Sequence, residues 1–363
     1  MDFLRRLPIL VKWVAFGGML LLNTGPAYAQ NDVFKVYLVG DAGEDAETGK
    51  TLTNLGKQLN ENPKSAVVFL GDNCYKNDLW GAFPYGFKGF DSSELTQRKV
   101  KSQLNILTSY KGYVFFIPGN HDWWNLTEFE KGSRKLKMEE SFIEANLALN
   151  QSIANNRRVF LPKNAKPGPD FVDLNDNRLR IIFIDSYRLI INAFKEQDPR
   201  DLPMEQTFYK QLDSLLAEAS ARNEKVVVTA HHPVFAKGPN SKKLRDPNLF
   251  GRIKASNSSF PANNRMAAKI REILNKYPGI YYASGHVHSL QYYFPQKKVH
   301  YIVSGAGSKT NKISPAEMQK LQPENNTDYA LWNIKGFFEI DFSTAAEKIF
   351  LYFNNGQDKC ELQ

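Results

Sequence analysis

The chain of 363 residues reads as an α/β protein built from βαβ units. Three observations predict this. Short apolar runs of strand length alternate with segments of helical spacing. Several of those runs end in small clusters of Gly, Asp, Asn or His. No internal repeat, low-complexity tract or second domain boundary breaks the pattern. Strand, crossover helix and parallel strand make a unit whose ligands gather beyond the carboxyl ends of the strands. The polar clusters therefore mark where chemistry belongs.

Residues 1–29 stand apart. Arg5 and Arg6 precede an apolar run over 7–22 that Lys12 interrupts, and the segment closes on Ala27-Tyr28-Ala29, a small-x-small cleavage pattern. The run is short and broken for a membrane span, and no cysteine follows Ala29 for lipid attachment. A secretory signal peptide over 1–29 is expected, with an uncleaved anchor as the other reading. Residues 30–363 are then expected to form one domain, periplasmic or secreted, with no membrane span after signal removal.

The elements follow in order. The run 34–39 ends in Gly40-Asp41, and 51–59 carries Leu52, Leu55 and Leu59 at helical spacing. A second strand over 66–70 ends in Gly71-Asp72. Residues 95–110 can be helical, and a third strand over 113–117 leads into Pro118-Gly119-Asn120-His121-Asp122. Further on, 179–184 reads as a strand ending at Asp185. Residues 204–221 read as a helix with Phe208, Leu212, Leu215 and Leu216 on its apolar side. A strand over 226–230 ends in His231-His232-Pro233, 267–274 is helical, and a strand over 280–283 precedes Gly285-His286-Val287-His288. The runs 290–294, 299–303, 337–342 and 349–353 are expected as antiparallel strands closing the domain. Two irregular stretches interrupt the order. Residues 76–90 hold Trp80, Phe83, Tyr85, Phe87 and Phe90 among glycines, and residues 237–265 carry Lys242, Lys243, Arg245, Arg252 and Lys254. Long loops of this kind are functional or simply solvated insertions.

Composition narrows the partners. The formal charge is +9, a field that favours anionic ligands, phosphate esters included, and equally serves solubility. The charge is spread along the chain, and no pattern of a nucleic-acid reader occurs, so no nucleic-acid partner is expected. Two cysteines, Cys74 and Cys360, make no disulfide framework, and two free thiols are expected. Asn125, Asn150, Asn257 and Asn325 open sequons that matter only in a glycosylating host. The oligomeric state is not encoded in any feature of the sequence.

Of the six histidines, five fall in three short motifs, as His121, His231, His232, His286 and His288; His300 is the exception. Histidine is the commonest transition-metal ligand, and carboxylates hold harder ions. A lone Gly-Asn-His-Asp or Gly-His-x-His is most simply a turn. With the two Gly-Asp pairs, all in order and all on strand ends, the motifs form a specific signal. Tyr75 lies three residues after Asp72, while Gly40-Asp41-Ala42-Gly43 contains no histidine. Taken alone, Tyr75 reads as a buried aromatic; coupled to that missing histidine, it reads as a ligand.

The set Gly40-Asp41-Ala42-Gly43, Gly71-Asp72-Asn73-Cys74-Tyr75, Gly119-Asn120-His121-Asp122, Val228-Thr229-Ala230-His231 and Gly285-His286-Val287-His288 resembles the calcineurin-like metallophosphoesterases. More narrowly, it is similar to the purple (tartrate-resistant) acid phosphatases. The resemblance implies a four-layer α/β/β/α sandwich and a binuclear metal centre. In that reading Asp41, Tyr75 and His288 bind the first metal and Asp72 bridges both. Asn120, His231 and His286 bind the second metal. His121 is no ligand but donates to the leaving-group oxygen. His232 either touches substrate phosphate or caps its strand end. Asp122 and Asp185 are turn carboxylates or support the ligands from behind, and Cys74 is a packed spectator. A phenolate favours a hard trivalent ion, so Fe(III) is expected in the first site, and Fe, Zn or Mn as the divalent ion in the second. The implied activity is acid phosphatase-like hydrolysis of phosphate monoesters on small molecules by a metal-bound hydroxide. A phosphodiesterase or nucleotidase on the same metal pair is the near alternative. A non-catalytic envelope binding protein on the same fold is the distant one.

Overall fold

The computed structural model describes residues 34–362 except 46, 76–89, 124–128, 151, 156–157, 177, 195–201, 238–259, 317–318, 320–327, 343–345 and 355–358. The expected signal peptide, the aromatic stretch apart from Phe90, residues 238–259 of the basic stretch, and the sequons at Asn125, Asn257 and Asn325 lie outside the described residues.

The first βαβ run is β1 (Lys35–Val39), α1 (Lys50–Glu61), β2 (Ser65–Phe69), α2 (Glu94–Leu104) and β3 (Tyr113–Phe116). β1, β2 and β3 pair in parallel. The second comprises β5 (Leu179–Ile184), α5 (Leu202–Ala221), β6 (Lys225–Ala230), α6 (Phe260–Leu274) and β7 (Ile280–Ser284), again with parallel strands. The remaining elements are α3 (Phe129–Ala148), β4 (Asp170–Leu174), α4 (Ser186–Phe194), β8 (Leu290–Tyr293), β9 (Val299–Ser304), β10 (Tyr329–Leu331), β11 (Gly336–Asp341), β12 (Lys348–Phe353) and β13 (Lys359–Glu361). Two mixed sheets result. One has the order β13-β12-β11-β1-β2-β3 and the other β10-β8-β9-β7-β6-β5-β4.

Strand side chains alternate between faces, and here both faces are buried. From β1, Val36 and Leu38 join a cluster with Val68, Phe115, Ile181, Phe183, Val227, Ala283 and Ile302, which fills the space between the sheets. Tyr37 and Val39 point the other way, into the helical layers with Leu52, Leu55 and Leu59 of α1. Ile182, Val228 and Tyr282 do the same on the second sheet, against Phe208, Leu212 and Leu216 of α5 and Ile270 of α6. This is the expected α/β/β/α layering. It explains why the strands read as continuous apolar runs rather than as alternation.

Several elements depart from expectation. β9 pairs in parallel with β7 and antiparallel with β8, so 299–303 extends the parallel core instead of merely closing the domain. α6 begins at Phe260, well before residue 267. α3, α4, β4, β10 and β13 were not expected. α3 escapes a periodicity reading because its buried stripe is Gly132, Ser133, Leu136, Glu139, Ile143 and Leu147, only partly apolar. Cys74 and Cys360 are free thiols, the first buried. Among the described residues no helix is long and apolar enough to cross a membrane.

Candidate metal centre

The parallel strands of both sheets deliver their carboxyl ends to one edge. Asp41 follows β1, Asp72 follows β2, Asn120 follows β3, His231 follows β6, and His286 and His288 follow β7. One backbone approach ties the two edges, Gly40 N–H donating to the Ser304 carbonyl at 2.7 Å; within the second sheet, Gly285 N–H donates to the His231 carbonyl at 3.0 Å. Asp41, Asp72 and His286 have φ of 57°, 55° and 66°. For residues with a Cβ this left-handed region costs about 1 kcal/mol or more each, strain typical of functional turns.

Two donor clusters form. In the first, the Tyr75 hydroxyl donates to Asp41 Oδ1 at 2.7 Å, and His288 Nε2 lies 3.3 Å from both the Tyr75 oxygen and Asp41 Oδ1. In the second, Asn120 Oδ1 lies 3.0 Å from His231 Nε2 and 3.0 Å from His286 Nδ1, while Asp72 Oδ1 lies 3.3 Å from His231 Nε2. Asp72 connects the two: Asp41, Asp72 and His231 each offer a ligand atom, all within 4.8 Å of one another. Donors bound at about 2.1 Å and near right angles to one cation sit about 3 Å apart. The separations fit that spacing. All seven residues expected as ligands are therefore brought together.

The electrostatics also call for cations. Asp41, Asp72, Tyr75, Asn120 and His231 are buried. Burial pushes His231 down, but the Asp72 carboxylate, with help from Asp41, outweighs it and raises the imidazole to about 9. Burial likewise opposes ionisation of Asp72, yet His231 and His121 hold it well below the usual carboxylate range. A proton on His231 thus balances charge that a metal would neutralise. His286 is pushed down to about 3 by burial and by His231, leaving a neutral ring with a lone pair. Burial, Asp41 and Asp72 push the Tyr75 phenol well above its ordinary value. A cation bound there must displace that proton.

Supporting contacts fix the ligands. His231 Nδ1–H donates to the Leu70 carbonyl at 2.8 Å, which leaves Nε2 free to face the cluster. The His286 backbone N–H donates to Asp41 Oδ2 at 2.7 Å. Gly43 N–H donates to the Asp72 carbonyl at 3.1 Å, and Tyr75 N–H to the Gly43 carbonyl at 3.0 Å. A Cβ on Gly43 would lie 2.2 Å from the Asn73 carbonyl carbon, so position 43 has no room for any side chain. The absent histidine and the present tyrosine are two sides of one packing arrangement: the backbone that carries Tyr75 fills the place a residue-43 side chain would need. Asp122 accepts from Cys74 N–H at 3.1 Å and Gly119 N–H at 2.7 Å, bracing both ligand loops; burial and Asp72 raise it to about 7.

His121 stands outside both clusters. Its N–H donates to Asp72 Oδ1 at 2.8 Å, and its ring centroid is 4.5 Å from that of Tyr75. Burial and nearby Lys309 lower its pKa, against the opposing pull of Asp72. His232 is buried with its ring 4.3 Å from His286, held by the Ser186 hydroxyl 2.9 Å from its Nδ1. Asp185 caps α4 by accepting from Arg188 N–H at 2.9 Å and also accepts from Trp123 Nε1–H at 3.0 Å. Lys99 and Gln103 belong to no motif of the sequence. One turn apart on α2, they donate to the Tyr75 carbonyl at 2.6 Å and the Asn73 carbonyl at 2.7 Å, clamping the ligand loop. Their signal was a polar pair at helical spacing amid buried Val100 and Leu104. Glu139, likewise without a motif, is buried beneath that loop beside Asp122.

Two sheets between helical layers, with carboxylate, imidazole and amide donors converging at the strand ends, define an α/β sandwich whose strand-end site has the donors to hold metal ions. The model of the calcineurin-like phosphoesterase family matches residues 34–290, well over half the chain, and the chain belongs to that family. The family and the Asp41–Asp72–His231 cluster together suggest a binuclear metal centre. A comparison with curated proteins finds no match. Among solved structures, the chain is similar to GAP50, the anchor in the inner membrane complex of Plasmodium, at 14% identity and TM-score 0.54, covering 91% of this chain and 89% of that one. It is also similar to a dimetal phosphatase from Danio rerio (11% identity, TM-score 0.46, covering 91% and 98%) and to PhoD (12%, 0.44, covering 92% and 72%). At such identity the first likeness speaks to fold alone.

Proposed function

We propose that the chain is an exported, binuclear metal-dependent phosphatase of the purple acid type, hydrolysing phosphate monoesters of small molecules. The observation that carries this reading is the approach of Tyr75, Asp41 and His288 to within 3.3 Å of one another. Asp41, Tyr75, His288 and bridging Asp72 would hold the first cation; Asn120, His231 and His286, with Asp72, would hold the second. The raised pKa of the Tyr75 phenol favours a highly charged ion able to displace its proton, hence Fe(III), with Fe, Zn or Mn as the divalent partner. When bound, such a pair supplies an activated water and neutralises charge on the phosphoryl oxygens.

The chain's own residues do the rest. The loop after β2 presents Asp72 and Tyr75 on one rigid turn, clamped by Lys99 and Gln103. His231 is fixed in one orientation by the Leu70 carbonyl. His121, anchored to Asp72 through its backbone, faces the departing alcohol and donates a proton or hydrogen bond to its oxygen. His232, beside His286, offers a contact to substrate phosphate. Export rests on residues 1–29, read as a signal peptide, with 30–363 as the catalytic domain. A complete donor set argues against a purely binding role. The test is turnover by the metal-loaded protein of 4-nitrophenyl phosphate against bis(4-nitrophenyl) phosphate. Preference for the monoester supports the proposal. Preference for the diester transfers the site to a phosphodiesterase, and turnover of neither refutes a catalytic role.

A further inference from the structure

Lys309 brings a cation to this edge. Lys309 lies in the loop that follows β9, and that loop is fastened to the first donor cluster on both sides of it. Gly307 N–H donates to the Gly40 carbonyl at 3.0 Å, and Ser308 N–H to the Asp41 carbonyl at 3.0 Å; Asn311 N–H donates to the His288 carbonyl at 2.9 Å. The Ser308 hydroxyl adds a second bond to the Asp41 carbonyl, at 2.5 Å. Lys309 is thus held between residues bonded to the backbones of Asp41 and His288. Its ammonium sits 3.8 Å from the centroid of the Tyr75 ring and 3.0 Å from Glu44 Oε2, with a side chain 27% exposed. It is also close enough to His121 for its charge to act on that ring. The positive charge therefore stands at the rim of the metal cluster, on the side of Tyr75 and His121, partly open to solvent.

We propose that Lys309 is a specificity-determining, substrate-binding residue that favours leaving groups carrying their own negative charge, and so raises turnover of phosphoanhydrides relative to esters. This inference rests on the phosphoesterase reading of the same site. If His121 faces the leaving group, the ammonium beside it meets the charge that builds there. In anhydride cleavage the oxygen of water bonds to the terminal phosphorus. The bridging oxygen departs with the electron pair of the broken P–O bond as part of a phosphate anion, and the proton from water goes to solvent. An alcohol leaving group needs a proton from His121, whereas a phosphate needs a neighbouring cation. Glu44 shares the ammonium and so tempers its pull on substrate.

Adenosine diphosphate and adenosine monophosphate present the same nucleoside behind an anionic and a neutral leaving group. In the full-length, metal-loaded protein, Lys309→Gln should lower the ratio of kcat/KM for the diphosphate to that for the monophosphate about tenfold, the size of one charge-assisted hydrogen bond at a part-exposed site. Lys309→Arg should keep most of the ratio, and Glu44→Gln should raise it. Calorimetric binding of the non-hydrolysed methylene analogue of the diphosphate should weaken in parallel with Lys309→Gln. Equal losses on both nucleotides, or a ratio that Glu44→Gln lowers, overturn the assignment and leave the phosphoesterase reading intact. A wild-type protein with two metals that turns over 4-nitrophenyl phosphate but neither nucleotide overturns the assignment alone; one that turns over none of these overturns both.

Discussion

Replacing Gly43 with alanine adds one carbon, and the structure sets its cost. That carbon would lie 2.2 Å from the Asn73 carbonyl carbon, 2.3 Å from its oxygen and 2.4 Å from Cys74 N. Comfortable contact begins near 3.5 Å, so the overlap is about 1 Å and falls on backbone that cannot rotate away. The two chain segments must separate. Overpacking costs about 1–3 kcal/mol. Two hydrogen bonds, Gly43 N–H to Asp72 and Tyr75 N–H to Gly43, are stretched or lost, at about 1 kcal/mol each. Gly43→Ala should therefore destabilise the metal-free protein by about 3–5 kcal/mol in urea unfolding. It should also displace Asp72 and Tyr75 together, so metal content after reconstitution should fall at both sites. Gly43→His combined with Tyr75→Phe should not rebuild the first site, because the histidine has nowhere to go. A Gly43→Ala protein with wild-type stability and full metal content would refute the packing argument.

Three further outcomes follow from the same geometry. His121→Ala should lower kcat by about 10²–10⁴ for alkyl phosphates and much less for 4-nitrophenyl phosphate, whose leaving group needs no proton, with both metals retained; equal losses would remove His121 from the leaving-group side. Asn120→Ala should strip the second metal and spare the first, because its Oδ1 lies between His231 and His286; elemental analysis showing both metals intact would contradict this. Burial raises Asp185 to about 7, so the fold holds its proton more tightly than the unfolded chain does, and the contribution of this group to stability declines as pH rises from about 4 to about 7. Asp185→Asn keeps the helix cap and cannot ionise, but its amide NH2 then faces Trp123 Nε1–H, so it should be less stable than wild type at pH 4 by about 1–3 kcal/mol and should close or reverse that gap as pH rises to about 7.5. Parallel stability curves for the two proteins would show that the buried carboxyl is not perturbed.

Much of this arrangement was legible in the sequence because the chemistry sits at strand ends. Apolar runs followed by Gly-Asp, Gly-Asn-His-Asp or Gly-His-x-His place donors at one sheet edge through chain order alone. What eluded the sequence depends on packing between distant segments. α3 offered no clear stripe, since Glu139 and Ser133 occupy positions that face the interior. The parallel pairing of β9 with β7 was hidden because β8 intervenes and the register is set by tertiary contacts. Gly43 looked like a missing ligand, and only the close approach of Asn73 shows that it is a steric requirement. Lys309 carries no motif; its position comes from three backbone hydrogen bonds to residues far away in the chain.

The claim on which the account turns is that Tyr75 binds a metal as phenolate in a two-metal site. Elemental analysis with a visible spectrum, run on the wild-type protein and on Tyr75→Phe, tests it directly. The wild type should hold two metals per chain, at least one of them iron, and show a phenolate charge-transfer band in the visible. Tyr75→Phe should lose that band and retain less iron. A band and an iron content that survive the substitution unchanged would show that Tyr75 is only a buried aromatic, and the purple-type assignment would fall with it.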